Sequence, residues 1–227
     1  MVKNILNKNI LNLTREQKKI LLITLFAVAG VLSDLLATKI CTWGNFTIEA
    51  GCILFVAVYL AADVITETYG FETMIKTALL GMAMKVFMVI VGTIAILLPY
   101  DPVSFAVAQQ SLEYVFGFVP RIVIASLIGY ICGQWVNAKS MVIIKKMTNS
   151  KYLFIRTIGS TILGEFIDTL LFITIAFIGT MPLGNLGSFI LTQYIMKVLI
   201  ETFLQPITYR AVSWAKNNNV EEDLSLS

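Results

Sequence analysis

Six times along its 227 residues this chain runs through a stretch of almost purely apolar side chains. Each stretch is about 20 residues long, the length of an α-helix that crosses a bilayer. By approximate ends the stretches are 20–40, 50–69, 73–98, 119–138, 153–180 and 187–211. A soluble domain of this size cannot bury so much apolar surface. Composition points the same way: only 14% of residues are charged and 57% are hydrophobic, with a mean hydropathy of +0.82, whereas soluble domains carry about 25% charge. The expected fold class is all-α, a polytopic protein with six transmembrane helices in a lipid bilayer.

The distribution of positive charge predicts orientation. Lys3, Lys8, Arg15, Lys18 and Lys19 precede the first span, and Lys76 follows the second. Lys139, Lys145, Lys146 and Lys151 lie between the fourth and fifth, with Arg156 at the edge, and Arg210 and Lys216 close the sixth. In a six-span arrangement all of these fall on one side. The opposite loops, 41–49, 99–118 and 181–186, hold no Lys or Arg, with Lys39 and Arg121 at their borders. Both termini are therefore expected in the cytoplasm, and the protein in the bacterial cytoplasmic (inner) membrane. The basic N-terminus resembles the start of a signal peptide, but no small-residue cleavage site follows and Asp34 interrupts the apolar run, so a retained first helix is expected. Thr14 and Gln17 have capping-box spacing and would start that helix near Arg15.

The expected organisation is a cytoplasmic arm over 1–19, a six-helix transmembrane domain over 20–211 and a disordered cytoplasmic tail over 212–227. A short surface helix is expected around 103–114. Cys41, Cys52 and Cys132 are odd in number and lack metal-ligand spacing, which suits small apolar packing. The chain has no histidine, so His-metal sites and Ser-His catalysis are excluded. No catalytic residue, metal, cofactor or nucleic-acid partner is expected, and a homodimer is left open.

Charges inside the spans carry the functional signal. Asp34, Asp63, Glu67, Glu165, Asp168 and Glu201 sit there with Lys39, Lys85, Arg121 and Lys197. Each such group at the bilayer centre costs roughly 2.5–3.5 kcal/mol on insertion scales, so ten acting alone would cost on the order of 25–35 kcal/mol. Lys39, Glu67 and Arg121 are near span ends and can snorkel; the others must face one another or water. Asp63 and Glu67 are i,i+4, Glu165 and Asp168 are i,i+3, and Lys197 and Glu201 are i,i+4, so each pair shares a helix face and the last can pair directly. Gln193 and Gln205 extend the Lys197 face by a turn each way. A polar cavity near the midplane is where transporters place their substrate. Substrate-binding candidates are Asp63, Asp168, Glu165, Gln193, Lys197 and Glu201; Asp34, Lys39, Glu67, Lys85 and Arg121 are gating or structural candidates. The plainer reading of Asp34 and Lys85 is a single interhelical bridge, and of Tyr59 and Tyr69 aromatic packing. Lys197 is the expected partner of Asp168, which has no basic residue near it on its own helix.

Four blocks resemble the bacterial queuosine precursor transporter family, a six-span, vitamin-uptake-transporter-like group: "AGCILFVAVYLAADVITETYG", "FGFVPRIVIASLIGYICGQ", "RTIGSTILGEFIDTLLFITIAFIGTMPL" and "LTQYIMKVLIETFLQPITY". The resemblance spans roughly 35–212. It implies a carrier that imports 7-deazaguanine bases, such as the 7-cyano or 7-aminomethyl form, for tRNA queuosine salvage, without a dedicated ATPase. Lys39, Asp63, Glu67, Arg121, Asp168, Gln193, Lys197 and Glu201 carry over from its motifs. Two positions depart from them. Phe55-Val56 stands where a Phe-Pro step is expected, which leaves a kink there unsupported, and Glu165 stands where a neutral polar group is expected. The ligand class suits the residues, because a carboxylate can accept two N–H donors of a guanine-like edge and a Gln or Lys can meet its O6. Two other readings are a substrate-binding subunit of a multi-component vitamin importer and an intramembrane aspartyl enzyme using Asp63 and Asp168. The second lacks a Gly-x-Gly-Asp stretch, and the protein is expected not to be an enzyme.

Overall fold

The computed structural model of the protein describes residues 13–44, 46–148 and 153–217, with backbone alone at 145 and 153–158. Six helices long and apolar enough to span a membrane account for most of these residues. Helix α1 runs over Arg15–Leu36. Its start is the expected capping box: Gln17 N donates to Thr14 Oγ1 at 3.2 Å, and Thr14 N donates to Gln17 Oε1 at 3.0 Å. Residues from Arg15 onward are helical, as the capping-box spacing predicts. The rest of the arm up to residue 12 lies outside the described residues.

After α1 the chain forms a two-stranded antiparallel hairpin, β1 (Ile40–Trp43) and β2 (Phe46–Glu49). Ile40 pairs with Glu49 and Trp43 with Phe46, leaving a two-residue turn that Gly44 enters at φ 61°, a left-handed conformation glycine adopts without strain. The second span opens on a 3₁₀ turn, Ala50–Leu54, before α2 (Phe55–Tyr69). The helix is irregular there without a proline. A Cβ on Gly51 would stand 2.2 Å from the Ser33 carbonyl oxygen, so only glycine lets this turn press onto α1. Gly70, at φ 87°, then reverses the chain directly into α3 (Phe71–Leu97).

Helix α4 covers Ala106–Met147 without a break. The expected surface helix and fourth span are therefore one element. At 1.5 Å per residue it is about 63 Å long, roughly twice the hydrocarbon core, so its ends project from the membrane. Helix α5 covers Leu153–Phe177, and α6 covers Leu183–Lys216, continuing past the expected end of the sixth span. The tail beyond Asn217 lies outside the described residues.

Two apolar clusters lie at opposite ends of the bundle. At the hairpin end Phe172, Ile173 and Phe177 of α5 pack with Ile122 of α4 and Phe189 of α6. At the other end Leu22 of α1 packs with Val64 and Ile65 of α2, Met74 of α3 and Ala215 of α6. Lys18 ties α1 to the end of α6 there by donating to the carbonyls of Trp214 at 2.9 Å and Asn217 at 2.7 Å. Along α6, Lys197 lies between Phe189 of the first cluster and Ala215 of the second. Helices α4 and α5 approach closest of all. A Cβ on Gly133 would stand 2.8 Å from Asp168 Cβ, and one on Gly164 would stand 2.8 Å from Asn137 Cβ. Gly129 and Gly133 form a small-xxx-small stripe of the kind that lets membrane helices touch backbone to backbone.

Candidate functional site

Lys197 is the centre of the polar layer. It sits midway along α6 and its side chain is 5% exposed. Its ammonium contacts Asp168 Oδ2 directly and lies 3.5 Å from Glu165 Oε2. Both acids come from one face of α5, as their i,i+3 spacing requires. From α2, Tyr59 donates its hydroxyl to Glu165 Oε2 at 3.1 Å, and the Phe55 ring centroid is 5.0 Å from Lys197 Nζ, within cation–π reach. Three helices therefore converge on one ammonium. Helix α5 can bring Asp168 this close because α4 offers no side chain behind it at Gly129 and Gly133.

The expected pairing of Asp168 with Lys197 is present. The expected pairing of Lys197 with Glu201 is not, because Lys197 reaches across to α5 instead. A Lys placed N-terminal to its Glu is the weaker i,i+4 order, and two carboxylates across the interface outcompete one acid on the same helix. Glu201 lies within Coulomb range of Glu165 and Asp63, one turn toward the termini. Asp63 is partly buried and makes no ion pair or hydrogen bond among the described residues, and Glu67 is exposed. One ammonium thus faces Asp168 and Glu165, with Asp63 and Glu201 nearby. The layer holds more carboxyl groups than cations and so a surplus of acceptors, a setting that favours donor-rich ligands.

Asp34 and Lys85 form a separate, balanced set. Lys85 Nζ lies 2.9 Å from Asp34 Oδ2, and Ser126 bridges them, donating to Asp34 Oδ2 and accepting from Lys85. It joins α1, α3 and α4. Arg121 donates to the carbonyls of Ile175 at 2.7 Å and Ile178 at 2.5 Å, at the C-terminal end of α5; these carbonyls lack intrahelical donors. Lys39 is exposed in the turn before β1.

Some participants were not readable as such from sequence. Tyr59 is a hydrogen-bond donor to Glu165 and more than a packing aromatic. Gln193 binds Glu49, whose side chain is almost wholly buried although position 49 reads as an exterior loop. The sequence signal for Glu49 was its place directly before the apolar run that starts at Ala50.

Six apolar helices enclosing a layer of charges that lipid cannot accommodate define a multi-pass membrane transport protein. The chain belongs to the family described as "Putative vitamin uptake transporter", whose model matches residues 49–211, a range that includes every residue of the Lys197 cluster. A Bacillus subtilis (strain 168) protein named "Probable queuosine precursor transporter" is 27% identical over 191 residues, covering 84% of this chain and 82% of that one. No solved structure matches the chain.

Proposed function

We propose that this protein imports queuosine precursors, 7-deazaguanine bases in the 7-cyano or 7-aminomethyl form, by alternating access, and that it binds them at the layer around Lys197. The observation that carries this reading is the placement of Asp168, Glu165 and Lys197 together at mid-bundle, between apolar clusters at either end. The relative's name supplies the substrate class. A guanine-like edge offers N–H donors to carboxylates, its O6 can accept a hydrogen bond from Lys197, and its flat face suits Phe55. The aminomethyl form is a cation and is favoured further by the surplus of carboxyl groups over cations. Lys197 changes partners between Asp168, Glu165 and substrate during the cycle, and the two apolar clusters act as alternating seals. Both termini face the cytoplasm in this scheme, which places the hairpin outside.

The deciding experiment is uptake of labelled deazaguanines into cells that cannot make them, with queuosine in tRNA as readout. Expression of the protein restores modification when either precursor is supplied. Unrestored modification, with the protein present in the membrane, refutes the proposal.

A further inference from the structure

Glu49 is 1% exposed, less than any other carboxylate among the described residues. Its position is built with little slack. Ile40 pairs with it across the hairpin, Ala50 N donates to Lys39 O at 2.9 Å, and Ser33 donates its hydroxyl to Gly51 O at 3.0 Å. Gly51 itself is pressed against the Ser33 carbonyl. From this anchored end of β2 the side chain reaches α6, where Gln193 Nε2 donates to Glu49 Oε1 at 2.5 Å.

The pair holds more acceptors than donors. Glu49 Oε2 and Gln193 Oε1 are both buried and accept no hydrogen bond. Buried acceptors are rarely left in this state in native structures. Asp168 and Glu165 already hold Lys197, whereas Glu49 has no cation in contact: it holds the Gln193 amide and lies beside the backbone N–H of Cys52. Gln193 is four residues from Lys197 and so shares its face of α6; the acceptors belong to the same polar layer.

On the other side, strand alternation puts Thr47 on the face of β2 that carries Glu49. Thr47 lines a cavity of about 550 Å³ at the hairpin end, with Thr38, Thr42, Tyr114, Asn185 and Ser188. That volume suits a small-molecule site, and the lining offers hydroxyls, an amide and an aromatic ring but no charge. Phe177 also lines the cavity and packs at 5.1 Å between ring centroids on Phe189, which is one turn from Gln193. Gln193 is therefore one turn beyond the Phe177–Phe189 contact, on the way along α6 from the cavity to Lys197, and Glu49 is bound to it; neither lines the cavity itself.

We propose that Glu49 and Gln193 form a donor-reading subsite, in which the Glu49 carboxylate accepts two adjacent N–H groups of a planar heterocycle arriving from the hairpin cavity. The inference rests on the import reading above and assigns substrate selection to a residue outside the Lys197 cluster. Burial pushes the Glu49 carboxyl up to about 7, so its ionised form prevails above neutral pH; that form is acceptor-only and matches two parallel N–H donors, such as a ring N–H beside an exocyclic amine. Gln193 holds the carboxylate in orientation with its amide N–H, and its own carbonyl offers a third acceptor. A base without the exocyclic amine leaves a buried charged acceptor unpaired, and is rejected for that reason.

The test compares two neutral ligands on the full-length protein in lipid nanodiscs: a 7-deazaguanine base and its counterpart lacking the exocyclic amino group. Wild-type protein should prefer the amino-bearing base by about tenfold to a hundredfold, the value of one hydrogen bond to a charged group. In Glu49→Gln that preference should collapse, because the carboxamide presents an N–H where an acceptor is needed. A merely structural Glu49 would weaken both ligands alike, so an unchanged preference in Glu49→Gln overturns the subsite. If that variant does not fold, Glu49→Asp withdraws the carboxylate by one methylene and should lower the preference; an unchanged ratio there overturns it equally. Loss of both variants from the membrane makes Glu49 a folding residue and also overturns it. Wild-type protein that binds neither base refutes the import reading, and this inference falls with it.

Discussion

Replacing Lys197 by Met tests the central cluster. Methionine keeps most of the volume of the lysine stem, so the packing loss is small. The electrostatic loss is not. Asp168 and Glu165 would face each other across the former ammonium position with side-chain exposures of 20% and 16%. Removing one partner of a buried ion pair costs about 3–5 kcal/mol, because an uncompensated charge stays behind. At 1.36 kcal/mol per decade this is roughly two to four decades in the folding equilibrium. Thermal unfolding of the purified protein in nanodiscs should show Lys197→Met well below wild type. Adding Asp168→Asn to Lys197→Met removes the stranded charge and should restore a large part of the stability, and adding Glu165→Gln should restore more. Uptake should stay lost in all three, since each lacks the ammonium that the proposed binding mode requires. Two results would refute the reasoning. One is a double variant as unstable as the sum of its single changes, which would mean that Lys197 and Asp168 do not act as a pair. The other is normal uptake by Lys197→Met.

Asp168→Asn alone should cut uptake by about tenfold or more, the worth of one charge-assisted hydrogen bond, while quantitative blotting shows near-normal membrane abundance. Gly133→Val should lower both folded yield and uptake, because its Cβ would stand 2.8 Å from Asp168 Cβ and overpacking costs about 1–3 kcal/mol; Gly187→Ala, which meets nothing within 4 Å, is the matched control for surface tolerance. Reporter fusions at Asn4, Met147 and Asn218 should read cytoplasmic, and those at Asp101 and Gly184 exterior; an exterior signal at Met147 overturns the orientation. One charge moved across 100 mV is worth about 2.3 kcal/mol, so collapsing the membrane potential should depress uptake of the cationic aminomethyl base more than that of the neutral cyano base, and equal sensitivity of both in a vesicle flux assay would point to ion coupling.

The membrane class, the six spans and the capping box at Thr14 were all legible in the sequence. Each depends on local properties: run length, charge count, and the spacing of two residues along one turn. The i,i+3 face shared by Glu165 and Asp168 was legible for the same reason, as was Lys197 as partner to Asp168, since depth in a span can be counted along a helix. What lay across helix interfaces was not legible. Lys197 turned from Glu201 to α5 because the choice depends on which neighbour stands opposite, and helical periodicity does not encode that. Glu49 reads as a loop acid by position, and only the packing of Gly51 on Ser33 and the reach of Gln193 bury it. The closeness of α4 to α5 rests on Gly129, Gly133 and Gly164, which are unremarkable singly and informative only when they face one another. A charge in a span announces that it needs a partner because lipid cannot solvate it; which partner it takes is decided by distances of a few ångströms between helices far apart in the chain.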